Sequence, residues 1–154
     1  MADHVIRVKI LIVFAAAIIL LGSGCATTQS ESSSRFHSWE GEVSGMITGK
    51  LNLKLQIEQV NKNTKAVSGK MSIKIDTVSG GFGDGKVNGT VKGEIKDGNL
   101  EATFAGMAYV TEGQAPVSGS IRGTLSFSSG QGDLEVITST DAGALSADWI
   151  VRSN

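Results

Sequence analysis

Residues 50–58 read KLNLKLQIE and residues 66–76 read AVSGKMSIKID, and in both every second residue is apolar or glycine. The same alternation returns in KVNGTVKGEIK at 86–96 and in PVSGSIRGTLSF at 116–127. A period of two sends successive side chains to opposite faces of a strand, so one face is buried and the other wet, the pattern of antiparallel sheet. After residue 35 no stretch carries ten or more residues at helical period. The chain from residue 36 onward is expected to be all-β.

Turn-forming residues divide it into about eight strands: 39–47, 50–60, 66–76, 86–96, 99–111, 116–127, 133–140 and 144–152. Asp97-Gly98 between two alternating runs is the best hairpin signal in the chain. Every connection is short, so consecutive strands should be neighbours and the topology an antiparallel up-and-down meander. Val-x-Gly recurs at 43–45, 67–69, 87–89 and 117–119, intervals of roughly one hairpin that are too irregular for a solenoid. Eight such strands close most naturally into a barrel, which removes free edges. Glycines on the apolar face (Gly69, Gly89, Gly93, Gly119, Gly123) allow the bending that closure requires. A β-sandwich is the alternative. The outline resembles the calycin and avidin-like barrels in architecture alone, with none of their ligand-binding motifs present.

Ahead of this domain the chain has a different character. Arg7 and Lys9 precede twelve consecutive apolar residues, Ile10 to Leu21, and then Gly22-Ser23-Gly24 leads into the only cysteine, Cys25. Twelve apolar residues are too few for a transmembrane helix, which needs about 20, and fit a signal-peptide core. Here the chain resembles bacterial lipoprotein precursors, whose lipobox ends in cysteine, although Gly22 stands where that family favours Leu, Val or Ile. The resemblance covers about 25 residues. It implies a lipidated thiol at Cys25, palmitate among the acyl chains, and cleavage that makes Cys25 the new N-terminus; two or three acyl chains give stable anchoring. Ala26 follows the cysteine where an Asp would favour inner-membrane retention, so the outer membrane, facing the periplasm, is the expected location. The expected organisation is signal peptide 1–24, lipidated Cys25 with a polar tether over 25–35, and one β domain over 36–154.

Composition removes most chemistry. One cysteine makes neither an internal disulfide nor a cysteine-based zinc site. Beyond residue 24 the chain has a single histidine, His37, beside the tether. No cofactor, no metal site and no enzymatic activity are expected. Gly80, Gly85 and Lys86 match the spacing of a phosphate-binding loop, but Val87 stands where Ser or Thr would hold the metal and a strand follows instead of a helix. Residues 77–85 read instead as a glycine-rich rim loop, with Phe82 as a possible lid residue if a ligand enters the barrel. A membrane-spanning barrel is disfavoured because aromatic residues are only 5% of the chain, too few for two interfacial girdles.

The net charge of −1 averages two opposed halves. Residues 50–96 carry nine lysines against four acids, and residues 97–154 carry two arginines against seven acids. Lys50 and Lys54, Lys70 and Lys74, and Lys92 and Lys96 share the wet face of three successive strands, a patch suited to anionic lipid headgroups or another acidic envelope polymer. Nucleic acid is not expected, since no aromatics interleave these lysines. Residues 104–110 are apolar on both faces; Met107 and Tyr109 on the outer one form a partner patch, or a surface covered by the segment around Phe36. The expected role is non-enzymatic binding. A carrier of a small apolar ligand inside the barrel, and head-to-tail docking of a second copy of the chain, are the alternatives.

Overall fold

The computed structural model of the chain describes residues 35–79, 84–138 and 143–154. The alternating runs form eight strands: β1 (Phe36–Gly45), β2 (Ile47–Gln59), β3 (Thr64–Val78), β4 (Gly85–Lys96), β5 (Asn99–Val110), β6 (Gly113–Leu125), β7 (Ser129–Thr138) and β8 (Ala144–Ser153). Each pairs antiparallel with the next, and β8 returns to pair with β1 through Val43↔Trp149 and Gly41↔Val151. That last ladder closes the barrel and excludes the two-sheet sandwich.

The inward set is apolar throughout. Leu51, Leu53 and Leu55 of β2 and Ile73 of β3 are fully buried, with Leu100 and Ile121 across the interior, and no polar or charged side chain is buried among the described residues. The valine of each Val-x-Gly repeat, at 43, 67, 87 and 117, also points into this core. Apolar inside and lysine-rich outside is the reverse of a membrane-spanning barrel, whose apolar band faces outward.

Two tryptophans anchor the interior, each with its indole N–H satisfied, as burial demands. Trp149 donates to the carbonyls of Arg122 (3.0 Å) and Asp133 (3.2 Å), and Trp39 to that of Ser126 (3.1 Å). Trp149 also explains a displaced strand boundary. Residues 128–132 read as a loop in sequence because of Gly130 and Gly132, yet both lie in β7. A Cβ on Gly130 would stand 2.8 Å from the Trp149 ring and 2.6 Å from Leu125, so glycine is there to leave room for the indole.

Other boundaries move too, most clearly at the first corner and at the start of β6. The first corner falls at Met46 rather than at 48–49. The strand ends pair outward there, Ser44↔Asp148 to β8 and Ile47↔Val78 to β3, while Met46 N–H donates to Ser146 and its carbonyl accepts from Ser79. A register shift between Thr48 and Gly49 accommodates the bend. β6 begins at Gly113 rather than 116, carrying Pro116 within the strand opposite Met107. Among the described residues the β6–β7 ladder begins at Val117↔Thr138, so Pro116 stands just outside it.

The hairpin at Asp97-Gly98 matches its expectation. Both residues have positive φ, 51° and 83°, as a two-residue turn of the primed type requires. Nothing lies within 4 Å of a Cβ placed on Gly98, so the cost of Gly98→Ala is purely conformational. The variant should lose about 1–2 kcal/mol, read as a shift in the denaturant midpoint at unchanged slope.

Candidate functional site

Closing the barrel in this register sorts the outward side chains of β2 to β5 into rows that run across the strands. Lys50, Lys74, Lys86 and Tyr109 are successive cross-strand partners and form one row. The next row, two residues along each strand, is Asn52, Ser72, Asn88 and Met107. A third holds Lys54, Lys70, Thr90 and Ala105. Two cationic rows therefore enclose a neutral one rich in amides and hydroxyls. All five lysines are exposed.

The six lysines grouped from sequence divide. Lys50, Lys54, Lys70 and Lys74 lie in these rows. Lys92 stands one step further along, opposite Ser68 and Thr103, and Lys96 lies near the far end of the barrel opposite Thr64 and Asn99, beside the Asp97-Gly98 turn. Lys86 joins the rows although it was not grouped with them from sequence. Its signal was legible, since it shares the parity of Lys92 and Lys96, but its place at the margin of the glycine loop hid it.

Like charges directly opposite on a sheet destabilise it by roughly 0.2–1 kcal/mol per pair. This wall holds three such pairs, Lys50↔Lys74, Lys74↔Lys86 and Lys54↔Lys70. Folding alone gives no reason to place them so. Lys74→Gln relieves two pairs at once and should stabilise the fold by up to about 1 kcal/mol at low ionic strength. Thermal melts should show the gain vanish at about 1 M salt, where screening is nearly complete.

A groove of about 480 Å³ runs over the neutral row and the Lys54/Lys70 row, bounded by Lys54 and Lys70 on one side and by Met107 and Tyr109 on the other, with Lys50, Lys74 and Lys86 outside its lining. Lys54 is positioned at its edge by Phe36, whose ring lies 5.4 Å below the ammonium, a cation–π contact. Lys54, Lys70, Met107 and Tyr109 thus border one groove. The expectation that Phe36 covers Met107 and Tyr109 is overturned: Phe36 pairs with Gln56 on the β1–β2 ladder, four strands away from β5 in either direction around the barrel. Tyr109 keeps 43% of its surface exposed, and Pro116 and Ile137 are exposed nearby.

Three acids of the acidic half gather on the opposite side. Asp133 of β7 is directly opposite Asp148 of β8, with Arg122 of β6 beside Asp133 and Glu135 next along β7, around a groove of about 550 Å³. His37 packs between Trp39 (5.9 Å between ring centroids) and Phe127 (4.9 Å), where it serves as an end cap on the core. No group of three or more His, Cys, Asp or Glu residues placed to hold a metal occurs among the described residues. Cys25 and the loop residues 80–83, Phe82 included, lie outside the described residues. One end of the barrel retains an apolar cavity of about 120 Å³ lined by Ile47, Ile75, Val87, Ala108 and Val117 among others.

The chain matches no known protein family, curated protein or solved structure. Its own geometry carries the functional reading.

Proposed function

We propose that this protein is a lipid-anchored component of the bacterial envelope, attached through Cys25 and facing the periplasm from the outer membrane. Its barrel binds an anionic envelope component through the outer wall of β2–β4, without enzymatic chemistry. The observation that supports this most is the register: five exposed lysines in two rows, three pairs of them directly opposite, at a cost to the sheet. An anionic surface turns that cost into attraction, at about 1 kcal/mol for each lysine near it. The carrier alternative has less to support it. Side chains fill the middle of the barrel, and the apolar cavity at one end holds only about 120 Å³. The pocket of about 360 Å³ at the other end is bordered by Lys62, Lys65 and Asp97, a charged rim unsuited to an apolar ligand.

Two measurements test the reading. The full-length protein, anchored in neutral vesicles, should capture vesicles containing phosphatidylglycerol and ignore neutral ones, with capture falling steeply as salt rises. Equal capture of both kinds would overturn the binding role. Expressed in bacteria, the protein should incorporate labelled palmitate, and Cys25→Ser should incorporate none. Labelling that survives this substitution would overturn the anchor.

A further inference from the structure

We infer that the preferred occupant of the wall is a saccharide about two rings long with an anionic group, such as phosphate, at each end. One end is seated in the groove beside Lys54 and Lys70, and the other reaches past it to Lys50, Lys74 and Lys86. The inference rests on the reading that the lysine wall binds an anionic envelope component, and it names the chemistry of that component. The starting observation is the order of the rows. Lys50, Lys74 and Lys86 lie on one side of Asn52, Ser72 and Asn88, and Lys54 and Lys70 lie on the other. At about 3.3 Å per residue along a strand, each lysine row is about 7 Å from the neutral row and the two are about 13 Å apart.

A surface built only to meet bare anionic headgroups has no use for a neutral row in the middle. Two carboxamides and a hydroxyl donate and accept hydrogen bonds in equal measure, which suits sugar hydroxyls. The lysines are point charges with three donors each, suited to phosphate oxygens. Tyr109 closes the β5 end with an apolar ring body and a polar tip, a wall against which a sugar ring can lie. The groove's volume of about 480 Å³ lies within the range of specific small-molecule sites. An apolar occupant would leave the lysine rows unpaired, and a nucleic acid strand would find Tyr109 as its one stacking platform in the groove.

The test is calorimetric titration of the full-length protein in neutral detergent with four probes. They are an acyl-free disaccharide phosphorylated on both rings, its monophosphate, the unphosphorylated disaccharide and inorganic phosphate. The bisphosphate should bind about tenfold or more tightly than the monophosphate, because a second anchored end acts intramolecularly. The unphosphorylated sugar and inorganic phosphate should be weaker still. Asn52→Ala with Asn88→Ala should weaken bisphosphate binding about tenfold and leave capture of phosphatidylglycerol vesicles unchanged. Thermal melts of the variant confirm that it remains folded. Equal affinities for monophosphate and bisphosphate, with vesicle capture intact, would overturn this inference alone. Loss of vesicle capture by the unaltered protein would overturn the reading beneath it as well. Binding of a lipid-borne form of the same disaccharide, but not the acyl-free one, would show that acyl chains carry recognition and would also overturn the inference.

Discussion

Replacing Trp149 with alanine is expected to lower the unfolding free energy by about 3–5 kcal/mol, the range for deleting a large buried aromatic side chain. Several observations place this residue at the upper end of that range. Its side chain is 2% exposed, it sits on the β8 side of the ladder that closes the barrel, and its N–H bridges the carbonyls of Arg122 and Asp133 on β6 and β7. Gly130 exists as glycine to admit its ring. Against a total stability of about 5–15 kcal/mol for a typical domain, a loss of this size drops Tm by on the order of 10–20 °C. Guanidinium denaturation followed by far-ultraviolet circular dichroism reads it. Trp149→Phe, which keeps most of the packing and removes the donor, should cost about half as much or less. A loss below about 1 kcal/mol for the alanine variant would show that Trp149 does not close the barrel as described.

The second large effect concerns binding. Lys50→Gln, Lys74→Gln and Lys86→Gln together remove one complete cationic row while keeping side-chain length and exposure similar. At about 1 kcal/mol for each lysine near an anionic surface, affinity for phosphatidylglycerol vesicles should fall on the order of a hundredfold. The same variant should be at least as stable as the parent, because two like-charge pairs disappear with it. Binding and folding should therefore move in opposite directions, as expected where a surface is kept for function at the expense of stability.

Much of this was legible in the chain itself. The alternation in 50–58 and 66–76 decided the class, and Asp97-Gly98 marked a turn that the backbone adopts with both φ values positive. What misled was glycine read locally. Gly130 looks like a loop residue until Trp149, 19 positions away in sequence, occupies the space beside it, and Gly132 does so until the β6 backbone at Arg122 and Gly123 closes on it. Both are tertiary facts, set by which strand lies alongside. The site divides in the same way. That lysines share a wet face follows from parity alone, but which of them are neighbours depends on register. Register moved Lys96 away, brought Lys86 into the rows, and put Met107 and Tyr109 on the rim of one groove with Lys54 and Lys70.

The central claim is that position in the wall, and not total charge, makes the surface bind anions. The direct measurement compares two variants that each lose three positive charges: Lys50→Gln/Lys74→Gln/Lys86→Gln in the wall, and Lys62→Gln/Lys96→Gln/Arg152→Gln outside it. With the full-length proteins titrated against phosphatidylglycerol vesicles at one salt concentration, the wall variant should lose on the order of a hundredfold in affinity. The control should stay within about threefold of the parent, since scattered exposed charges are largely screened. Equal losses in the two variants would contradict the account.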